Sequence, residues 1–297
     1  MKKKTISRRD FIKDGAAALA AGSLVLAWPG KHSAQTPGKT RVVLIRDKDV
    51  LDEAGVVRPP AIEKMLDEAV KTLLGEKDAI AAWKKIIRPS DVVGIKSNVW
   101  RSLPTPPQLE EAIRSGVLSA GVKAENISVR DRGVLNDPVF MKATALVNVR
   151  PLRTHDWSGL GTLVKNYIMF VPDPPRYHPD SCADLATLWQ LPIVKGKTRL
   201  NILVMLTPLF HSVGPHGFNP AYVWKYNGLL VGLDPVAVDA TGARIIQAKR
   251  REFFGEDRPI NPPPKHIELA DTRHHLGTAD PNKIELVKLG WSEGILI

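Results

Sequence analysis

The residues best suited to chemistry fall in the middle of the chain. They are Lys96 and Asn98, then Arg153-Thr154-His155, then Gly159-Leu160-Gly161-Thr162-Leu163-Val164-Lys165-Asn166, then Arg176-Tyr177-His178, and finally Asp234-Pro235-Val236-Ala237-Val238-Asp239. The imidazoles of His155 and His178 and the carboxylate of Asp239 are donors of the kind that hold zinc, iron or another first-row metal and leave a position open for water or substrate. Such a metal would acidify a bound water or polarise a carbonyl or phosphoryl oxygen. No close pair of the His-x-x-x-His kind accompanies them. A second use of the same residues is anion binding. Glycines at a helix start expose backbone N–H groups, so Gly159, Gly161 and Thr162 are candidates to hold a phosphate or carboxylate, with Lys165 one turn on and Arg153 nearby. His155, Lys165 and Asp239 are thus the candidate catalytic groups. Lys96, Asn98, Arg153, Gly159, Gly161, Thr162, Asn166 and Asp234 are candidate ligand contacts. Each also has a structural reading: the glycines would only make a tight turn, and Asp239, four residues into a helix, would bind a backbone amide.

These residues need a scaffold, and the pattern around them supplies one. Short β-branched or apolar runs at 41–46, 91–96, 127–130, 145–149, 200–206, 229–233 and 283–289 alternate with helical periods at 60–74, 107–120, 235–250 and 264–272. The expected fold class is α/β, with a largely parallel sheet and helices on both faces. In such sheets ligands sit beyond the carboxyl ends of the strands, where most of the candidate residues fall. Pro-rich stretches at 103–107, 171–179 and 259–264 interrupt the alternation as loops near the cleft.

Other motifs fail or stay weak. Gly38-Lys39-Thr40 and Gly196-Lys197-Thr198 resemble the end of a P-loop, but the first glycine of that motif would fall at Ser33 and Leu191. No dinucleotide fingerprint follows a predicted strand, and there is no Gly-x-Ser-x-Gly elbow. His211 and His216 lie five apart in a Gly/Pro loop and are either a third candidate pair or plain loop residues. Cys182 is the single cysteine. It excludes an intramolecular disulfide and an iron-sulfur cluster held by this chain alone.

In its order of Ile95-Lys96-Ser97-Asn98, Arg153-Thr154-His155, Leu163-Val164-Lys165-Asn166, His178 and Asp234-Pro235-Val236-Ala237-Val238-Asp239, the chain resembles the family called domain of unknown function 362. Some members of that family are described as iron-sulfur centre proteins. The resemblance runs over residues 41 to 250. It departs from the family pattern at Lys96-Ser97-Asn98, where Lys-Pro-Asn is usual, and at Arg153-Thr154-His155, where Lys-Thr-His is usual. The ferredoxin-like cysteine run is absent, so that cofactor does not carry over. What the resemblance implies is a fold and a site location, without a reaction.

Upstream, Ser7-Arg8-Arg9-Asp10-Phe11-Ile12-Lys13 and the apolar run from Gly15 to Trp28 have the form of a twin-arginine export signal over residues 1–34, with a single α/β domain at 41–297. The apolar part is shorter than a spanning helix requires. Cleavage after Ala27 or Ala34 is expected, and an uncleaved signal would tether the chain. The chain carries +11, of which residues 1–38 contribute +5 (seven Lys/Arg, two acids), leaving +6 on the remainder. Without a basic stripe interleaved with aromatics, that charge points to a small anionic ligand and away from nucleic acid. The expectation is an exported, periplasmic protein, passed by the twin-arginine translocation machinery. It would be a metal-dependent enzyme acting on a small anion, or alternatively a non-catalytic accessory protein exported with a redox partner.

Overall fold

The computed structural model describes residues 36, 38–212, 214 and 216–297; the export signal expected over 1–34 lies outside the described residues. In chain order the elements are β1 (Thr40–Arg46), α1 (Pro59–Leu74), α2 (Ala79–Ile86), β2 (Val93–Lys96), α3 (Pro107–Ser119), β3 (Ile127–Arg130), the short α4 (Pro138–Lys142), β4 (Ala145–His155), β5 (Gly159–Gly161) and α5 (Leu163–Asn166). The helical segment α6 (Pro179–Cys182), β6 (Thr198–Leu209), β7 (Gly228–Gly232), α7 (Pro235–Phe254), α8 (Lys265–Thr272) and β8 (Ile284–Gly290) complete them.

All eight strands form one mixed, mostly parallel sheet in the order β3-β2-β4-β6-β7-β1-β8, with β5 paired to β4. The α/β class stands, and the sheet is less uniform than expected. β2 pairs in parallel with β3 and β4, β4 with β6, and β1 with β8, whereas β7 runs antiparallel to both β6 and β1. The reversal has a local reason. Among the described residues the chain between β6 and β7 holds only the 3-10 turn Pro220–Tyr222 and no crossover helix, the element that usually carries a parallel return.

Alternate residues of β1 enter different apolar clusters. Val43 and Ile45 join the cluster of Ile62, Leu66, Ala69, Val70 and Leu73 of α1 and Ile113 and Val117 of α3. Val42 and Leu44 instead join the cluster of Val236, Ala237, Ile245 and Ile246 of α7. The α1 stripe follows the helical period, and each such side chain contributes roughly 1.5–3 kcal/mol when fully buried. α1 stops at Gly75, whose left-handed backbone (φ 67°) lets its N–H reach the Lys71 carbonyl. α7 begins where the Asp234 side chain accepts from the Val236 and Ala237 amides.

β4 positions the site. Every one of its residues is buried, yet its sequence Ala-Leu-Val-Asn-Val-Arg-Pro-Leu-Arg-Thr-His breaks the apolar run expected of a covered central strand. Its register against β6 jumps, from Pro151 opposite Val204 to Arg153 opposite Leu209. Beyond the jump, Arg153, Thr154 and His155 pair with Gly161, Leu160 and Gly159 of β5. An irregularity of this sort re-aims side chains at a strand end. Among the described residues, no helix is long and apolar enough to cross a membrane.

Candidate functional site

Four cationic side chains are buried near the end of β4: Lys96 (0% exposed), Arg150 (4%), Arg153 (4%) and Lys165 (2%). Burying a charge is costly unless a partner offsets it, so their partners decide what they are for. Lys96, at the end of β2, is the satisfied one. Its Nζ donates to Asp131 Oδ1 at 2.9 Å, to the Ser97 carbonyl at 2.6 Å and to Asn166 Oδ1 at 3.4 Å. Burial pushes its pKa down to about 8 against the opposing pull of Asp131. Asp131 is itself pushed up by burial, but the Lys96 ammonium and the Val99 amide outweigh that and hold it below the usual carboxylate value.

Among the described residues the other three have no carboxylate within ion-pair distance. Arg153 donates from Nη2 to Asn98 Oδ1 at 2.9 Å and lies 4.6 Å above the Trp100 ring, while its Nε and Nη1 are buried without a hydrogen-bond partner. Among the described residues Lys165 Nζ has one hydrogen bond, to Cys182 Sγ at 3.4 Å, and burial lowers its pKa to about 8. Arg150 makes no hydrogen bond among the described residues, and its Nε is fully enclosed. Burial brings it down to about 10, with Asp131 and Asp239 acting against that at a distance. The charges sense one another: Arg150 adds to the lowering of Lys96, Arg153 and Lys165. Gly161 makes the space, because a Cβ there would lie 2.8 Å from Arg150 Nη2.

The glycine segment differs from its expected form. Gly159 and Gly161 are in strand β5, not at a helix start, because they pair with the end of β4. Gly159 has φ +70°, and any Cβ there would collide with the Pro262 carbonyl oxygen. Thr162 precedes α5, whose free amides the chain satisfies itself: Asp239 Oδ1 accepts from Leu163 N at 2.9 Å and Oδ2 from Val164 N at 2.8 Å. Asp239 is wholly buried in α7, and burial raises its pKa to about 7 although the Val164 and Leu163 amides and the Thr162 hydroxyl work against this. Thr162 Oγ1 also lies 2.9 Å from Nε2 of the buried His266, whose pKa burial lowers to about 3. With Thr162 donating to Asp239, His266 donates from Nε2.

Asn166 is a second anchor. Its Nδ2 donates to Lys96 O, Asn148 Oδ1 and Val149 O, and Asn148 in turn donates to Leu163 O and to Asn201 Oδ1. Asp234 is likewise held, its Oδ2 accepting from the Thr278 amide.

The histidines gather around Trp157, which is 42% exposed. His178 stacks on the indole at 4.1 Å, His216 meets it edge-on at 4.9 Å, and His155 tilts against it at 5.7 Å. Burial, then Lys165, Arg150 and Arg153, drive His155 far below its ordinary pKa, and burial and Lys165 take His178 to about 4. His155 Nδ1 accepts from Trp157 N, so its 3.1 Å approach to Asp156 Oδ1 is not an ion pair. His216 Nδ1 contacts the other Asp156 oxygen. His211 goes elsewhere, its Nδ1 lying 2.9 Å from Arg250.

The structure therefore brings Lys96, Asn98, Arg153, Lys165 and Asn166 together, sets His155 and His178 on one indole, and places Asp239 and Asp234 as helix anchors. Among the described residues, no group of three or more His, Cys, Asp or Glu side chains is placed to hold a metal ion. Arg150, Asp131, Trp157 and the contact of Cys182 with Lys165 are additions that the sequence reading missed. Arg150 had a signal: an arginine two residues after Asn148, inside a strand otherwise apolar enough to be covered. Two surface depressions, of about 370 and 350 Å³, lie apart from this cluster, one lined by Glu63, Asp67 and Lys71 and the other by Glu63, Pro107 and Glu111. Both are open hollows beside α1, whereas the cationic groups are enclosed.

No curated protein and no solved structure matches the chain. Residues 118–244, which include Arg150, Arg153, His155, Lys165, His178 and Asp239 but not Lys96 or Asn98, match the model of the family described as domain of unknown function (DUF362), and that family is what this stretch of the chain is similar to.

Proposed function

We propose that the protein, exported already folded by the twin-arginine route, binds a small anion of the carboxylate or phosphate kind at the buried cluster of Arg150, Arg153 and Lys165. One observation carries this reading: Arg150 is buried and makes no hydrogen bond among the described residues, with its Nε enclosed. A buried guanidinium whose Nε is enclosed without an acceptor is costly unless an anion supplies one. Arg153, with two nitrogens unpartnered, and Lys165, with only a thiol, add to the same deficit. Asp239 and Asn166 hold the segment that carries Lys165, and the Trp157 and histidine group stands beside it as the exposed rim.

The test is thermal unfolding of the full chain with inorganic phosphate and with pyruvate. At a hundredfold excess over Kd a bound anion adds about 2.7 kcal/mol, which for a chain of this size is roughly 5–10 °C in Tm. Arg150→Met is expected to lose that shift. An Arg150→Met variant shifted by phosphate as much as the wild type would remove the reading.

A further inference from the structure

Lys96 and Lys165 are equally buried and have pKa values lowered alike, yet their partners differ. Lys96 has a carboxylate at 2.9 Å, as a lysine that serves the fold should. Lys165 has the Cys182 sulfur at 3.4 Å, and that thiol donates onward to the His178 carbonyl. Burial raises the thiol above its ordinary pKa, so it faces the amine as a neutral group and not as a thiolate counter-ion. The residues around the amine are fixed: the Leu163 and Val164 amides are held by Asp239, and Asn166 is held by three donated bonds. Such support on either side of one residue keeps its side chain aimed. Arg150, which makes no hydrogen bond among the described residues, lies within electrostatic reach of both Lys165 and Cys182.

We infer that Lys165 is a nucleophile that forms an imine with a small 2-oxo acid, whose carboxylate is held by Arg150 and Arg153. This rests on the anion-binding reading above and names its substrate class. A desolvated lysine among cationic groups is the known way to make an amine reactive near neutral pH. The Lys165 nitrogen attacks the carbonyl carbon, a C–N bond forms and the carbonyl oxygen takes up a proton. The C–O bond then breaks and water leaves. From the ammonium form the balance is one ammonium and one ketone giving one iminium and one water, with no net proton released. No oxidant or reductant is needed.

The test is reductive trapping on the full chain with pyruvate and cyanoborohydride at neutral pH, followed by peptide mapping. The hydride comes from the reagent and converts the imine to a stable secondary amine. Lys165, at about 8 against the ordinary 10.5, is expected to be labelled roughly a hundredfold faster than an exposed lysine such as Lys84. Phosphate should suppress the labelling. Arg150→Met should reduce it at Lys165 by about tenfold, one pKa unit's worth of interaction, and leave surface lysines unchanged. If Lys165 is labelled no faster than Lys84 while pyruvate still raises Tm, the imine is wrong and anion binding stands. If neither phosphate nor pyruvate raises Tm and Lys165 stays unlabelled, both readings fall. Labelling of Lys165 that phosphate does not compete would overturn the shared site.

Discussion

Asn148 and Arg150 stand two residues apart on β4, both buried, and their surroundings could hardly differ more. Asn148 is part of a polar layer in which Asn166, Asn201, the Leu163 carbonyl and, through α5, Asp239 satisfy one another. Arg150 makes no hydrogen bond among the described residues, and its Nε is enclosed. A closed network stabilises and specifies the fold, whereas an open one costs stability that only a ligand returns. If the proposed anion binding holds, one strand separates a group used for folding from a group held ready for binding.

The sharpest way to break that contrast is to mutate one member of each kind. Asp239→Ala leaves two helix amides without acceptors and is expected to lose about 3–5 kcal/mol in urea unfolding, the range for breaking a buried charged network. Arg150→Met is expected to move the other way, gaining about 1–3 kcal/mol without ligand, because an isolated buried charge is replaced by an apolar chain of similar length. If Arg150→Met is destabilising on the scale of Asp239→Ala, the two positions are alike and the distinction is lost.

A pH series sharpens the comparison. The Lys165 amine has a folded pKa of about 8, below its ordinary 10.5. Its contribution is thus complete above 10.5 and disappears as pH falls through 8. Between pH 7 and 9 this gives the ligand-free chain about 1.4 kcal/mol of added stability, since one proton fewer is bound by the folded state over one pH unit. Comparison of the wild type with Lys165→Met isolates this slope from that of Lys96, and equal slopes in the two proteins would count against it. Anion affinity should run oppositely and weaken above pH 8 as the ammonium is lost.

The smallest effect on stability is expected from Gly161→Ala. The new methyl meets the far end of the Arg150 side chain at 2.8 Å, which can shift, so the change in unfolding free energy should stay below about 1 kcal/mol. Phosphate affinity, measured by calorimetry, should drop about tenfold, the low end of what one lost hydrogen bond between charged groups costs. An unchanged affinity would place the anion away from Arg150.

Much of the scaffold was legible because periodicity reports burial. The runs at 41–46, 127–130 and 229–233 and the helix at 60–74 lie within a residue of the strands and helix observed. What the sequence could not reveal was direction and pairing: nothing in Leu229-Leu230-Val231 says that β7 runs antiparallel to both neighbours. For the site, Lys96, Arg153 and Lys165 were legible as cations near strand ends. The function of Asp239 was legible only as one of two alternatives, because a helix-embedded carboxylate looks the same in sequence whether an amide or a ligand meets it. The glycines misled since Gly-x-Gly suits a strand with close neighbours as well as a helix start. Cys182 became informative only when folding brought it to Lys165.

The break in register within β4 fixes a distance along the chain. Upstream of it the strand is clamped between β2 and β6, and downstream it belongs to the hairpin with β5, so neither side can slide to absorb an extra residue. Two residues, Pro151 and Leu152, are all that separate the two guanidinium-bearing positions. An alignment gap at that point is therefore diagnostic. A related chain with a different spacing there would turn one arginine out of the candidate site, and the anion-binding proposal would not extend to it however well the rest of the sequence agrees.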